Sequence, residues 1–152
     1  MTILVAYDGS ADSRTAIEFA AKHLTAEPTL VVTVWEPLLV QLKKNPLAAA
    51  AIDPDTEDQA QAQAELYAKE GAELAVAAGL SDVTFRAVAD NESIWKTIVD
   101  VADEIDASLI VTGSRGLAGV RSVLLGSVSN HVLHHAHRPT LIVPPPKPAA
   151  RA

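Results

Sequence analysis

The apolar positions along the chain fall into two alternating patterns. Five short runs are almost continuously apolar: Ile3 to Tyr7, Leu30 to Trp35, Val83 to Val88, Leu109 to Thr112 and Thr140 to Val143. Runs of β-branched and aliphatic residues without polar alternation are expected of strands covered on both faces. Between them the apolar residues recur at helical spacing. Ala16, Ile17, Ala20, Ala21 and Leu24 share one helical face, charged Arg14, Glu18 and Lys22 lie on another, and Ser10 or Asp12 is placed to cap the start. A second helix is expected from near Asp53-Pro54, through an Ala/Glu/Gln-rich stretch, to Gly79, which would end it. Ile94, Ile98, Ala102 and Ile105 mark a third after Asn91, its expected cap; Leu124, Val128 and Val132 mark a fourth that Pro139 stops.

The order is therefore β-α-β-α-β-α-β-α-β. Such alternation gives parallel strands joined by right-handed crossovers, so the expected fold is α/β: a single doubly wound five-stranded parallel sheet with helices on both faces. One domain is expected over residues 1–144, followed by a Pro-rich disordered tail at 145–152. Residues 36–52, with Pro37, Lys43, Lys44 and Pro46, fit neither pattern and are expected to form a long loop or lid.

Composition narrows the function. The 152 residues are 49% hydrophobic but only 4% aromatic, a balance of alanine-rich helices against Val/Ile strands. A formal charge of -7 argues against nonspecific binding to nucleic acid or an anionic membrane, which needs clustered Lys and Arg. There is no cysteine, which excludes disulfides, thiolate nucleophiles and cysteine-based zinc sites. Met1 leads straight into a short apolar run without a basic leader, and no stretch reaches the roughly 20 apolar residues of a membrane span. A cytoplasmic protein is expected.

In an open α/β sheet a ligand binds beyond the carboxyl ends of the strands, where the strand order reverses. The first strand ends in Tyr7-Asp8-Gly9-Ser10 and the fourth in Thr112-Gly113-Ser114-Arg115-Gly116; both put small residues where a ligand can approach the backbone. Gly126-Ser127-Val128-Ser129 falls at the start of the last helix, where free amides and hydroxyls can cradle a phosphate. Each feature has a plainer reading. Asp8 can be a turn residue, and the glycines can serve only to turn the chain.

The spacing Gly113-x2-Gly116-x9-Gly126-Ser127, the opening Ile3-Leu4-Val5-Ala6-Tyr7-Asp8-Gly9-Ser10, Val34-Trp35-Glu36-Pro37 and the block from Ala107 to Pro144 together resemble the ATP-binding branch of the universal stress protein family. The resemblance covers nearly the whole chain. It implies that Asp8 contacts the nucleoside and Val34 the adenine. It also implies that Gly113, Ser114, Arg115, Gly116, Gly126, Ser127, Val128 and Ser129 surround ribose and phosphates. The implied ligand is ATP, with or without Mg²⁺. In the resembled family the last strand commonly makes a homodimer, so pairing through Thr140 to Val143 is expected, together with a client protein that the sequence does not identify. One rim departs from the family pattern: where a Gly-x-Pro often precedes the third helix, this chain has Glu92-Ser93-Ile94.

Two functions stay open. A nucleotide-dependent regulator in a stress response needs only binding that differs between two states. A slow ATPase or nucleotidyl-transfer enzyme would use the same pocket, but the chain lacks a Gly-x4-Gly-Lys-Ser/Thr loop and an evident base with an orienting partner. His131, His134, His135 and His137 have a metal-like density, yet histidines near a helix carboxyl end are favourable without a metal, and no ligand is assigned to them. Trp35 and Trp95 are expected to pack rather than to stack a base, and Arg115 and Arg121 are the cations in the loop, placed either to reach the terminal phosphates or to lie solvated at the surface.

Overall fold

A computed structural model describes residues 1–25, 27–47, 55–114 and 127–146, apart from the Thr56 side chain. The elements run β1 (Thr2–Ala6), α1 (Ala11–His23), β2 (Thr29–Trp35), α2 (Leu38–Lys44), α3 (Thr56–Ala78), β3 (Val83–Ala89), α4 (Ile94–Glu104), β4 (Ala107–Gly113), α5 (Ser127–His135) and β5 (Thr140–Val143). The five strands form one parallel sheet in the order β3-β2-β1-β4-β5. Leu4 of β1 is in register with Leu30 on one side and Ile110 on the other. The fold class read from the sequence is the one observed.

The hydrophobic runs explain the layers. Successive strand residues point to opposite faces, so Ile3, Val5, Val31 and Val111 join one core cluster while Leu4, Leu30, Val32 and Ile110 join the other. Ala16, Ile17 and Ala20 of α1 and Ala72 and Ala75 of α3 cover the first face; Ile98, Val101 and Ala102 of α4 and Val132 of α5 cover the second. Burial is deepest in the inner strands β1, β2 and β4. At the edge, β3 leaves Phe85 exposed, because one side of an edge strand has no neighbour to shield it.

Helix α3 lies close to the sheet because its inner stripe is small: Ala64, Ala68, Gly71, Ala72 and Ala75 are all buried. A Cβ at Gly71 would stand 2.8 Å from both the Tyr7 ring and Val31. The helix ends at Gly79, whose φ of 117° is a left-handed conformation, and its N–H bonds back to the Ala75 and Val76 carbonyls.

Three local expectations need correction. Part of the expected loop at 36–52 is helix α2, since Leu38 to Lys44 is a run of helix formers behind Pro37, with Val40 turned inward; residues 48–52 lie outside the described residues. Helix α4 starts later than Asn91 implied, with Ser93 as its N-cap and no side-chain cap bond. Asp55 is the N-cap of α3, while Asp53-Pro54 lie outside the described residues, as do residues 147–152 of the expected tail.

Candidate nucleotide-binding crevice

All strands being parallel, their carboxyl ends share one edge of the sheet. β1 continues through α1 towards β2 and β3, whereas β4 continues through α5 to β5, so the order reverses between β1 and β4. Helices α1 and α5 cover opposite faces of the sheet, and a reversal of strand order between helices on opposite faces is where α/β sheets form a ligand crevice.

The β1 side is a tightly bonded turn. Asp8 is half-buried, and its Oδ1 accepts from the Ser10 N–H and the Ser13 hydroxyl, each at 2.9 Å. Ser10 caps α1 by accepting from the Ser13 N–H at 3.2 Å. Gly9 takes φ of 82°, and a Cβ there would meet the Tyr67 ring at 2.8 Å. The Thr33 hydroxyl donates to the Tyr7 carbonyl at 2.8 Å, fixing the end of β1 against β2. Asp8 therefore makes the turn that the plainer reading expected, in the position that the resemblance assigns to a nucleoside contact.

The β4 side meets this turn directly. A Cβ at Gly113 would stand 3.0 Å from the backbone carbon and oxygen of Asp12, so the bare Cα lets the first turn of α1 seat against the end of β4. Ser114 donates its N–H to the Val143 carbonyl at 3.2 Å, and its own carbonyl accepts from the Ser129 hydroxyl at 3.2 Å. Ser129 is buried, so it ties the start of α5 to the end of β4. Ser127 is exposed at the head of α5, and Val128 packs on the core. Arg115, Gly116, Arg121 and Gly126 lie outside the described residues. Val34 sits near the end of β2, in register with Val88.

The histidines of α5 have a packing partner. Trp95 stacks on His131 and His135, with ring centroids 5.3 and 4.7 Å apart. His131 Nδ1 lies 2.6 Å from the Ser127 carbonyl, and since a carbonyl only accepts, that nitrogen carries the proton. No group of three or more His, Cys, Asp or Glu among the described residues is placed to hold a metal ion.

Sequence reasoning missed two features at this edge. Tyr7, buried at the end of β1, donates its hydroxyl to Glu70 of α3, and burial followed by that bond pushes its pKa up to about 12. Asp90, directly after β3, is fully buried. Its position immediately beyond a strand was the available signal. Elsewhere a cleft of about 250 Å³ lies between β3 and α4, lined by Val88, Glu92, Lys96 and Asp100 among others, away from the β1/β4 crevice.

Comparison with known proteins gives the family and the fold. The universal stress protein family model matches residues 1–144. The chain belongs to the universal stress protein family. A universal stress protein from Mycolicibacterium smegmatis is 30% identical over 146 residues, covering 93% of this chain and 47% of its own length. The chain thus spans about half the length of that relative, and 49% of the universal stress protein Rv1996 of Mycobacterium tuberculosis, which is 28% identical. Among solved structures, a universal stress protein in complex with cAMP is similar at a TM-score of 0.65 and 26% identity, covering 94% of this chain and 95% of that one. The Archaeoglobus fulgidus universal stress protein in complex with dAMP superposes at a TM-score of 0.67 and 23% identity, covering 94% and 97%, and shows the shared fold. No helix among the described residues is long and apolar enough to cross a membrane.

Proposed function

We propose that this universal stress protein binds an adenine nucleotide, ATP with or without Mg²⁺, in the crevice between the carboxyl ends of β1 and β4, and acts as a cytoplasmic nucleotide-dependent regulatory module in a stress response. The observation that carries the reading is the junction at Gly113, where a missing Cβ brings the Asp8–Ser13 turn and the β4 end together at the point of strand reversal. The nucleotide-bound relatives, one with cAMP and one with dAMP, support adenine as the base.

In this reading Asp8 meets the nucleoside and Val34 the adenine. Gly113, Ser114, Arg115, Gly116, Gly126, Ser127 and Val128 surround ribose and phosphates. Exposed Ser127 is suited to a phosphate oxygen, while buried Ser129 acts through its bond to the Ser114 carbonyl by holding the two sides of the loop at their spacing. Among the described residues β5 lies at the sheet edge with no strand paired to its outer side, which suits the homodimer proposed through Thr140–Val143.

Ligand-induced stabilisation tests the assignment. A ligand that binds only the folded state adds about 2.7 kcal/mol at a hundredfold excess over its Kd. ATP or AMP is expected to raise the melting temperature of the wild type, and Ser127→Ala together with Asp8→Ala is expected to shrink that rise. An identical rise in the double variant would move the site elsewhere. Sedimentation at micromolar concentration with ATP is expected to give a dimer; a monomer would remove the β5 pairing.

A further inference from the structure

Three rings on the α4–α5 face form a group that the nucleotide crevice does not use. His131 and His135 stand one turn apart on α5, and Trp95 stands at the start of α4. Their ring planes all lie within 27° of parallel. Between centroids, Trp95 is 5.3 Å from His131 and 4.7 Å from His135, and the two imidazoles are 6.0 Å apart. Rings on opposite faces of one indole would be separated by about 7 Å or more, two stacking gaps of about 3.5 Å. At 6.0 Å both imidazoles therefore lie on the same indole face, side by side, with a gap between their edges. The three separations put the indole centroid about 4 Å off the line joining the imidazoles, close to its middle.

His131 turns its unprotonated nitrogen along the helix toward that gap. Its Nδ1 donates a proton to the Ser127 carbonyl, one turn back along α5. The two nitrogens of an imidazole point in nearly opposite directions, so the Nε2 lone pair points forward, to the side of His135. A backbone carbonyl that holds one ring nitrogen and leaves the other as a base is the usual setting of a metal-bound histidine. His135 is exposed, so the gap opens to solvent.

A metal lies about 2.0–2.1 Å from an imidazole nitrogen, hence about 3 Å from the ring centroid. Centroids 6.0 Å apart thus suit an ion midway between them, with a nitrogen on nearly opposite sides. Such near-linear coordination by two neutral nitrogens suits the monovalent ions Cu⁺ and Ag⁺. Zinc takes about four ligands, and no third His, Cys, Asp or Glu among the described residues joins the pair. The indole face adds the attraction of its quadrupole for a cation, which acts within about 6 Å. We propose that His131 and His135 form a two-coordinate site for a monovalent copper ion, roofed by the indole of Trp95.

Ag⁺ is the probe, since it shares this coordination and keeps its oxidation state. The chain has no cysteine and Met1 is its one methionine, so no thiol competes. In Trp35→Phe, where Trp95 is the sole tryptophan, Ag⁺ in chloride-free buffer is expected to quench the emission saturably at one ion per chain. X-ray absorption at the silver edge should show two nitrogen neighbours. By calorimetry against wild type, His131→Gln and His135→Gln should each weaken binding by about tenfold or more, and Trp95→Leu by about threefold. His134→Gln should bind as wild type does, and Zn²⁺ should bind more weakly than Ag⁺. No saturable binding of Ag⁺ to the wild type, an affinity unchanged in His131→Gln and His135→Gln, or tighter binding of Zn²⁺ would overturn the site. The titrations contain no nucleotide, so such a failure leaves the crevice reading standing.

Discussion

Replacing Gly113 by alanine tests the junction on which the crevice depends. The added Cβ would lie 3.0 Å from the Asp12 backbone, against an ordinary carbon contact of about 3.5–4.0 Å. The obstacle includes backbone at the start of α1, so side-chain rotation alone does not relieve it; the helix must move by a few tenths of an ångström. Overpacking of this kind costs about 1–3 kcal/mol, offset by about 0.4–1 kcal/mol from the reduced freedom of the unfolded chain. The net expectation is a loss of up to about 2.6 kcal/mol, centred near about 1.3 kcal/mol, which for a domain of this size lowers the melting temperature by about 4 °C at the centre of that range. Urea unfolding followed by circular dichroism should show a lower midpoint with an unchanged slope, because the surface exposed on unfolding is the same. Adenine nucleotide affinity should fall as well, since the displaced helix carries Ser10 and Ser13, which hold Asp8. A Gly113→Ala protein as stable as wild type would refute the claim that α1 seats on the end of β4.

Other substitutions probe the layers around the site. Gly71→Ala should destabilise by about 1–3 kcal/mol although alanine is the better helix former, since its Cβ meets Tyr7 and Val31 at 2.8 Å; a gain in urea midpoint would show that α3 has room to move. Ser10→Ala removes the cap of α1 and should cost about 1 kcal/mol in urea unfolding, with no change in the midpoint arguing against the cap. The Tyr7 pKa of about 12 lies above its ordinary 10.0, so the folded state holds this proton more tightly than the unfolded one. The stability it contributes is complete below pH 10.0 and is lost as the pH rises towards about 12, so wild type should weaken over that window and Tyr7→Phe should weaken less. Parallel alkaline titrations of the two proteins would refute this.

Much of the fold was legible because it follows from periodicity. Continuous apolar runs such as Leu30 to Trp35 can be satisfied only between two helical layers, and Gly79 ends a helix wherever a left-handed residue is needed. Helix α2 was not legible, because Leu38-Leu39-Val40 is short and follows Pro37, so no repeat of the helical period accumulates to distinguish it from a loop. Asn91 misled for a related reason: it has the chemistry of a cap, but the chain turns into α4 only at Ser93. At the site, Gly113 and the turn residue Asp8 were visible as types at strand ends and Ser127 as a type at a helix start. The sequence could not say that Ser129 points back to the Ser114 carbonyl, nor that Asp90 is fully buried, because both depend on how distant strands close on one another.

The most direct test of the central claim is calorimetric titration of ATP, ADP, AMP and GTP, with Mg²⁺, into nucleotide-free protein and into a Gly113→Val, Gly126→Val variant, with phosphate release followed on the same samples. The account predicts saturable binding of adenine nucleotides by the wild type, loss of that binding in the variant, and little phosphate released. A wild-type protein that binds none of the four nucleotides would contradict it.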